Sequence, residues 1–174
     1  MKIVHQTDRA LEVFVSGRPR LLLGAAAFAL GLVLAFLGWR EAQVLLLSAG
    51  VFCGTIGAGS IWMARDIHHA LDADRGTVAI TARRLLGGGE RRTVTTIHEL
   101  ARIADVELEE RRGTARARRR GRRHPTYRLV YRFDDGGIEP WSDVHRSNRR
   151  NHEECQAAAR AVLHAWRTLH SRSA

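Results

Sequence analysis

Lysine is almost missing from this chain: Lys2 stands alone beside 27 arginines in 174 residues. Cysteine is nearly absent too. Cys53 lies inside an apolar run and Cys155 in a polar segment, so a disulfide framework is excluded. Aromatic residues make up only 6% of the chain, and none is interleaved in its most basic stretch. Most telling is where charge is lacking. Residues 21–39 and 42–64 contain no Asp, Glu, Lys, Arg or His. That absence argues against ion transport, proton relay and heme ligation within either run.

What is present first is a net charge of +10. Taken as a bulk property it suggests nucleic acid, but its distribution does not. Residues 65–174 hold 23 of the 28 basic residues and 15 of the 18 acids. Eight of those arginines, Arg111, Arg112, Arg116, Arg118, Arg119, Arg120, Arg122 and Arg123, fall in one acid-free run. Without that run the segment is neutral.

The two uncharged runs of 19 and 23 residues reach roughly 28 and 34 Å as helices, enough for a hydrocarbon core of ~30 Å. A soluble alternative would need two adjacent helices apolar all round in a small chain. A signal peptide would have too long an n-region and too long an apolar stretch, with a second run following at once. The expectation is a two-helix transmembrane hairpin over residues 21–64, turning at Arg40–Glu41. Arginine is abundant before the first span and after the second but single in the turn. Both termini are therefore expected in the cytoplasm, and Trp39 and Trp62 are expected as interface anchors. Small residues recur at a spacing of four, Ala27, Gly31 and Ala35 on one span and Gly50, Gly54 and Ala58 on the other. In lipid, close backbone approach across such residues has to drive helix pairing. They suit packing within the hairpin, or pairing of the stretch 50–54 with a partner's helix.

Residues 1–20 read as a separate cytoplasmic N-terminal segment, with Val13, Phe14 and Val15 giving it a short interfacial stretch. Residues 65–174 read as a cytoplasmic domain of six or seven short antiparallel strands and a final helix. Ala104, Val106 and Leu108 alternate with Asp105, Glu107 and Glu109, and Tyr127, Leu129 and Tyr131 alternate with Arg128 and Val130. Turns are marked at 73–76 and 134–137. Ser147 or Asn148 can cap a helix whose apolar face carries Cys155, Ala159, Val162, Leu163, Trp166 and Leu169. The expected fold is a membrane α-helical hairpin plus an α+β domain, a curved antiparallel sheet or small barrel capped by the C-terminal helix.

The order of two spans, Leu71-Asp72-Ala73-Asp74-Arg75-Gly76-Thr77-Val78, a strand pair around 97–108, Tyr127-Arg128-Leu129-Val130 with Asp134-Asp135-Gly136-Gly137, and a last helix resembles bacterial membrane-anchored proteins with a pleckstrin-homology-like (PH-like) domain. In outline it is also similar to photosystem assembly factors, which have two N-terminal spans and a compact β-rich domain. The resemblance implies a PH-like domain at the bacterial cytoplasmic (inner) membrane and a non-enzymatic role as scaffold, assembly factor or accessory subunit. The implied partners are the lipid bilayer and other integral membrane proteins.

The Arg-rich loop 111–125 admits four readings: docking on anionic lipid headgroups, binding an acidic partner surface, a solvated insertion enlarged by arginine bias, and, with no aromatics to stack on bases, nucleic acid last. Binding or sensing anionic lipid through this loop is the alternative function. The remaining motifs carry no catalytic signature. Gly87-Gly88-Gly89 lacks the Lys-Ser/Thr of a phosphate loop. His68-His69, His145, His152 with Cys155, and His164 with His170 show no second ligand pair at metal spacing. Asp105, Glu107 and Glu109 suit ion pairs with Arg128 and Arg132 better than acid–base work, since no nucleophile accompanies them. No enzyme, cofactor, metal or small-molecule substrate is expected.

Overall fold

In a computed structural model, residues 1–86, 93–111, 125–142 and 148–171 are described. The chain divides into two compact units, one made of Met1–Val15, Ile67–Thr81 and Thr95–Ala174, the other of Ser16–Asp66 and Ala82–Val94.

The first unit begins where no domain was expected. Lys2–Gln6 (β1) and Ala10–Val15 (β2) form an antiparallel pair, and β2 continues the sheet by pairing with Arg65–Asp72 (β3), Val15 opposite Ile67 and Ala10 opposite Asp72. The separate segment over residues 1–20 is thus corrected. Leu11, Val13 and Val15 alternate inward and are buried, and burying that face against strands more than fifty residues away outweighs the pull of an interfacial location. The apolar hairpin is consequently an insertion at the turn between two paired strands.

Thr77–Arg84 (β4) and Thr93–Glu99 (β5) complete a five-stranded sheet of order β1-β2-β3-β4-β5. The turn between β3 and β4 is held by Asp72, whose Oδ1 accepts from the amides of Asp74 and Arg75, both at 3.0 Å, while Gly76 takes a φ of +65° that favours glycine. After a short 3₁₀ turn at Leu100–Arg102, Ile103–Arg111 (β6), Thr126–Phe133 (β7) and Ile138–Pro140 (β8) form a second, three-stranded sheet. The described strands form two antiparallel sheets, not one, and these are not closed into the small barrel that the sequence reading allowed.

Arg149–Ser171 (α3) lies on β6, β7, β2 and β1. Asn148 caps it, its Oδ1 accepting from the Asn151 amide at 3.2 Å. Cys155, Ala158, Ala159, Val162 and Leu163 face the core with Leu11, Val13, Leu71, Val106, Leu129 and Trp141. Arg167 donates to the Ala104 carbonyl at 2.7 Å, and Gln156 to that of Val106 at 2.8 Å, so the helix is also tied to the backbone of β6.

The second unit holds Arg18–Arg40 (α1) and Val44–Trp62 (α2), both long and apolar enough to cross a membrane. They begin and end within three residues of the expected 21–39 and 42–64. Pro19 stands in the first turn of α1, where its missing N–H costs no helical bond. Ala42 takes a φ of +54° between the helices.

Candidate functional site

Three places bring chemistry-bearing residues together. The first is the seam between α1 and α2. A Cβ placed on Gly31 would lie 2.7 Å from the Gly54 Cα and 2.8 Å from the Gly50 carbonyl oxygen. One placed on Gly50 would lie 2.7 Å from both the Ala35 Cα and the Gly31 oxygen. Gly57 faces the Phe28 backbone in the same way, Gly38 the Leu47 backbone, and Gly24 the Ile61 amide. Backbone therefore meets backbone along the hairpin, and glycine is required because any side chain would hold the helices apart.

This seam differs from the expected stripe. The fully buried hairpin glycines are Gly24, Gly31 and Gly38 on α1 and Gly50 and Gly57 on α2, a repeat of seven, not four. Ala27 and Ala35 are half-buried, whereas Ala58 is exposed and takes no part. Gly54 offers its backbone to Gly31, but its own missing side chain points into open space. Gly24, Gly38 and Gly57 went unread. Their spacing of seven, the period that keeps one face of a helix turned to a neighbour, was available in the sequence. Trp39 and Trp62, at the helix ends, are 80% and 62% exposed.

At the base of the hairpin, the Gly17 amide donates to Asp66 Oδ1 at 2.8 Å. A Cβ on Gly17 would come within 2.6 Å of the Arg65 carbonyl carbon, so the chain enters α1 against the segment that leaves α2.

The second place is the strand pair that bounds the Arg-rich run. Arg111 ends β6 opposite Thr126, which opens β7. The strands that flank the run are thus paired up to Arg111 and Thr126. Arg112, Arg116, Arg118, Arg119, Arg120, Arg122 and Arg123 lie outside the described residues. Below Arg111 the surface is an ion-pair ladder. Arg128 pairs with Glu109, directly opposite it, and Arg132 with Glu107 at 3.0 Å. Asp105 turns instead to α3, where Arg160 grips it with two guanidinium nitrogens, Nε to Oδ1 at 2.8 Å. Partial burial works to raise the Asp105 carboxyl, but the Arg160 hydrogen bonds, the Val106 amide and the charges of Arg160 and Arg167 hold it below the usual carboxylate range. These carboxylates are neutralised pairs and present no free acid–base couple.

The third place is buried. His69 is fully enclosed, with Nε2 2.9 Å from the Trp141 carbonyl and Nδ1 3.3 Å from the Tyr131 hydroxyl. A ring nitrogen facing a carbonyl must donate, so Nε2 carries the proton and Nδ1 accepts from Tyr131. The imidazole stacks on the Trp141 ring at 4.7 Å. Burial pushes its pKa down to about 4, against the smaller upward pull of the Trp141 carbonyl. Burial likewise drives the pKa of the Tyr131 phenol well above its ordinary value and that of the Cys155 thiol up to about 11. The groups are locked in neutral forms away from solvent, which suits a packing role. Among the described residues, no group of three or more His, Cys, Asp or Glu comes together to hold a metal ion.

Set against known proteins, the chain matches no family model, and no curated sequence matches it either.

Proposed function

We propose that this chain is a multi-pass protein of the bacterial cytoplasmic membrane, with both termini in the cytoplasm, acting as a non-enzymatic scaffold, assembly factor or accessory subunit of a membrane complex. Its α+β unit would serve as a PH-like module. The observation that carries the reading is the division of labour on the hairpin. The inner faces of α1 and α2 are consumed by glycine-mediated contact with each other, while Leu23, Phe36, Leu45 and Phe52 face outward and exposed. An outward surface of this kind, with no ionisable group along it, suits lipid and the apolar helices of a partner.

Orientation follows from charge. Arg18, Arg20 and Arg65 stand at one end of the hairpin and Arg40 alone at the other, the bias that keeps the richer end in the cytoplasm. Crosslinking in native membranes, followed by detergent extraction and mass spectrometry, tests the scaffold role. Recurrent crosslinks from the hairpin to other membrane subunits are expected, and recovery of the chain only as an isolated monomer would refute it. Alkaline phosphatase fusions at residue 41 and at each terminus test the orientation, with activity expected only at the turn.

The alternative, recognition of anionic lipid through the Arg-rich loop, is supported by the pairing of Arg111 with Thr126, which makes the intervening residues one connection between two neighbouring strands. Serine replacements at Arg116, Arg118, Arg119, Arg120, Arg122 and Arg123 should then lower binding to anionic vesicles in a salt-dependent manner.

A further inference from the structure

We propose a second lipid-facing site, an anionic-phospholipid site at the base of the hairpin, built by Arg18 and Arg20 of α1 and by Arg83 and Arg84 at the end of β4. It rests on the reading that α1 and α2 span the bilayer, and it uses none of the arginines of the run 111–123.

The end of β4 and the start of β5 group with the helices, within the unit containing Ala82–Val94. The Leu85 amide donates to the Ala64 carbonyl at 3.1 Å, fastening this arm to the residues that follow α2. The Arg84 guanidinium lies over the Trp62 ring, 4.9 Å from its centroid. Nearby, Arg20 Nη2 approaches the Met63 sulfur at 3.3 Å. An indole face and a thioether are weak partners for a guanidinium. Asp66, the acid that this base shows among the described residues, gives one carboxylate oxygen to the Gly17 amide. Arg18, Arg83 and Arg84 are exposed and Arg20 half-exposed. Among the described residues, none of the four meets a carboxylate within ion-pair distance.

Trp62 beside Arg84 and Met63 beside Arg20 are large, apolar and exposed, as is Leu86 two residues beyond Arg84. Guanidinium groups bind phosphate oxygens in a bidentate fork, and an exposed indole prefers the level of the glycerol and headgroups. A free phosphate would leave the apolar flank unused, whereas an anionic phospholipid satisfies both parts. Among the described residues of the hairpin, the opposite end offers only Arg40, followed by Glu41.

The test releases full-length protein from nanodiscs of mixed phosphatidylglycerol and phosphatidylcholine and measures the retained lipids by native mass spectrometry. The wild-type chain should keep phosphatidylglycerol preferentially. R83S/R84S should lose that preference on the order of tenfold, R18S/R20S should also weaken it, R83K/R84K should retain most of it, and R40S should leave it unchanged. Wild-type selectivity in R83S/R84S, or an equal loss in R40S, would overturn the site. Alkaline carbonate washing of the same membranes reports on spanning separately. Protein that stays in the pellet without lipid selectivity removes the site and leaves the spans, whereas release of the wild-type chain removes both.

Discussion

Gly50 and Gly54 look alike in the sequence, yet alanine should be destabilising at the first and nearly neutral at the second. At Gly50 the added methyl would sit 2.7 Å from the Ala35 Cα and from the Gly31 oxygen. Ordinary carbon contacts need about 3.5–4.0 Å, so the helices must part by roughly 1 Å. The obstructing atoms are backbone, and no rotamer change can move them aside. Separation at Gly50 also loosens the neighbouring contacts of Gly31 and Gly57, which share the seam. Overpacking of this kind costs about 1–3 kcal/mol, and the membrane supplies no hydrophobic drive to offset it. At Gly54 the methyl meets nothing within 4 Å, so the expected change is within about 0.5 kcal/mol. SDS titration of the full chain in mixed micelles, followed by energy transfer between dyes at the two ends of one helix and the facing end of the other, measures both. Equal destabilisation by the two alanines, or a neutral Gly50→Ala, would refute the seam of seven-residue period.

Other outcomes follow from the α+β unit. His69 titrates near pH 6.5 when unfolded and at about 4 when folded, so the unfolded chain takes the proton first. Stability should fall as pH drops from about 6.5 to about 4, by on the order of 3 kcal/mol. Chemical denaturation at several pH values should show a shallower slope in His69→Gln, and an unchanged slope would contradict the buried neutral imidazole. Asp105→Asn breaks a half-exposed pair, so the loss should stay below about 1 kcal/mol, and a double-mutant cycle with Arg160→Ala should show coupling of the same size. With Cys53 replaced by serine, Cys155 should resist maleimide at neutral pH and label fully on denaturation, because its thiol is buried and held near pH 11. Labelling of the folded protein, read by mass, would place that helix face elsewhere.

Much of the local structure was readable because it depends on neighbours in the chain. Asp72 with Gly76, and Asp135 with Gly136 at a φ of +82°, build turns from their own side chains and backbones. The alternation in β6 and β7 forecast both the strand pair and two of its ion pairs, Glu107 with Arg132 and Glu109 with Arg128. The third acid, Asp105, escaped the same logic because Arg160 approaches from a helix fifty-five residues further on. The burial of His69 also depends on tertiary pairing. A histidine pair suggests ligands or solvent, but strand alternation turns His69 inward beside Leu71 while His68 pairs with Glu12 at the surface.

By itself the sequence determined the two uncharged runs, the side on which arginine gathers, the turns and the apolar face of α3, since each is a property of residues close together in the chain. Tertiary structure alone decided that residues 2–15 join the sheet and that Gly50 is sealed while Gly54 is open. It also decided that the end of β4 belongs with the helices. In each case the deciding contact joins segments that chain order keeps apart, and only the register between them says which atoms meet.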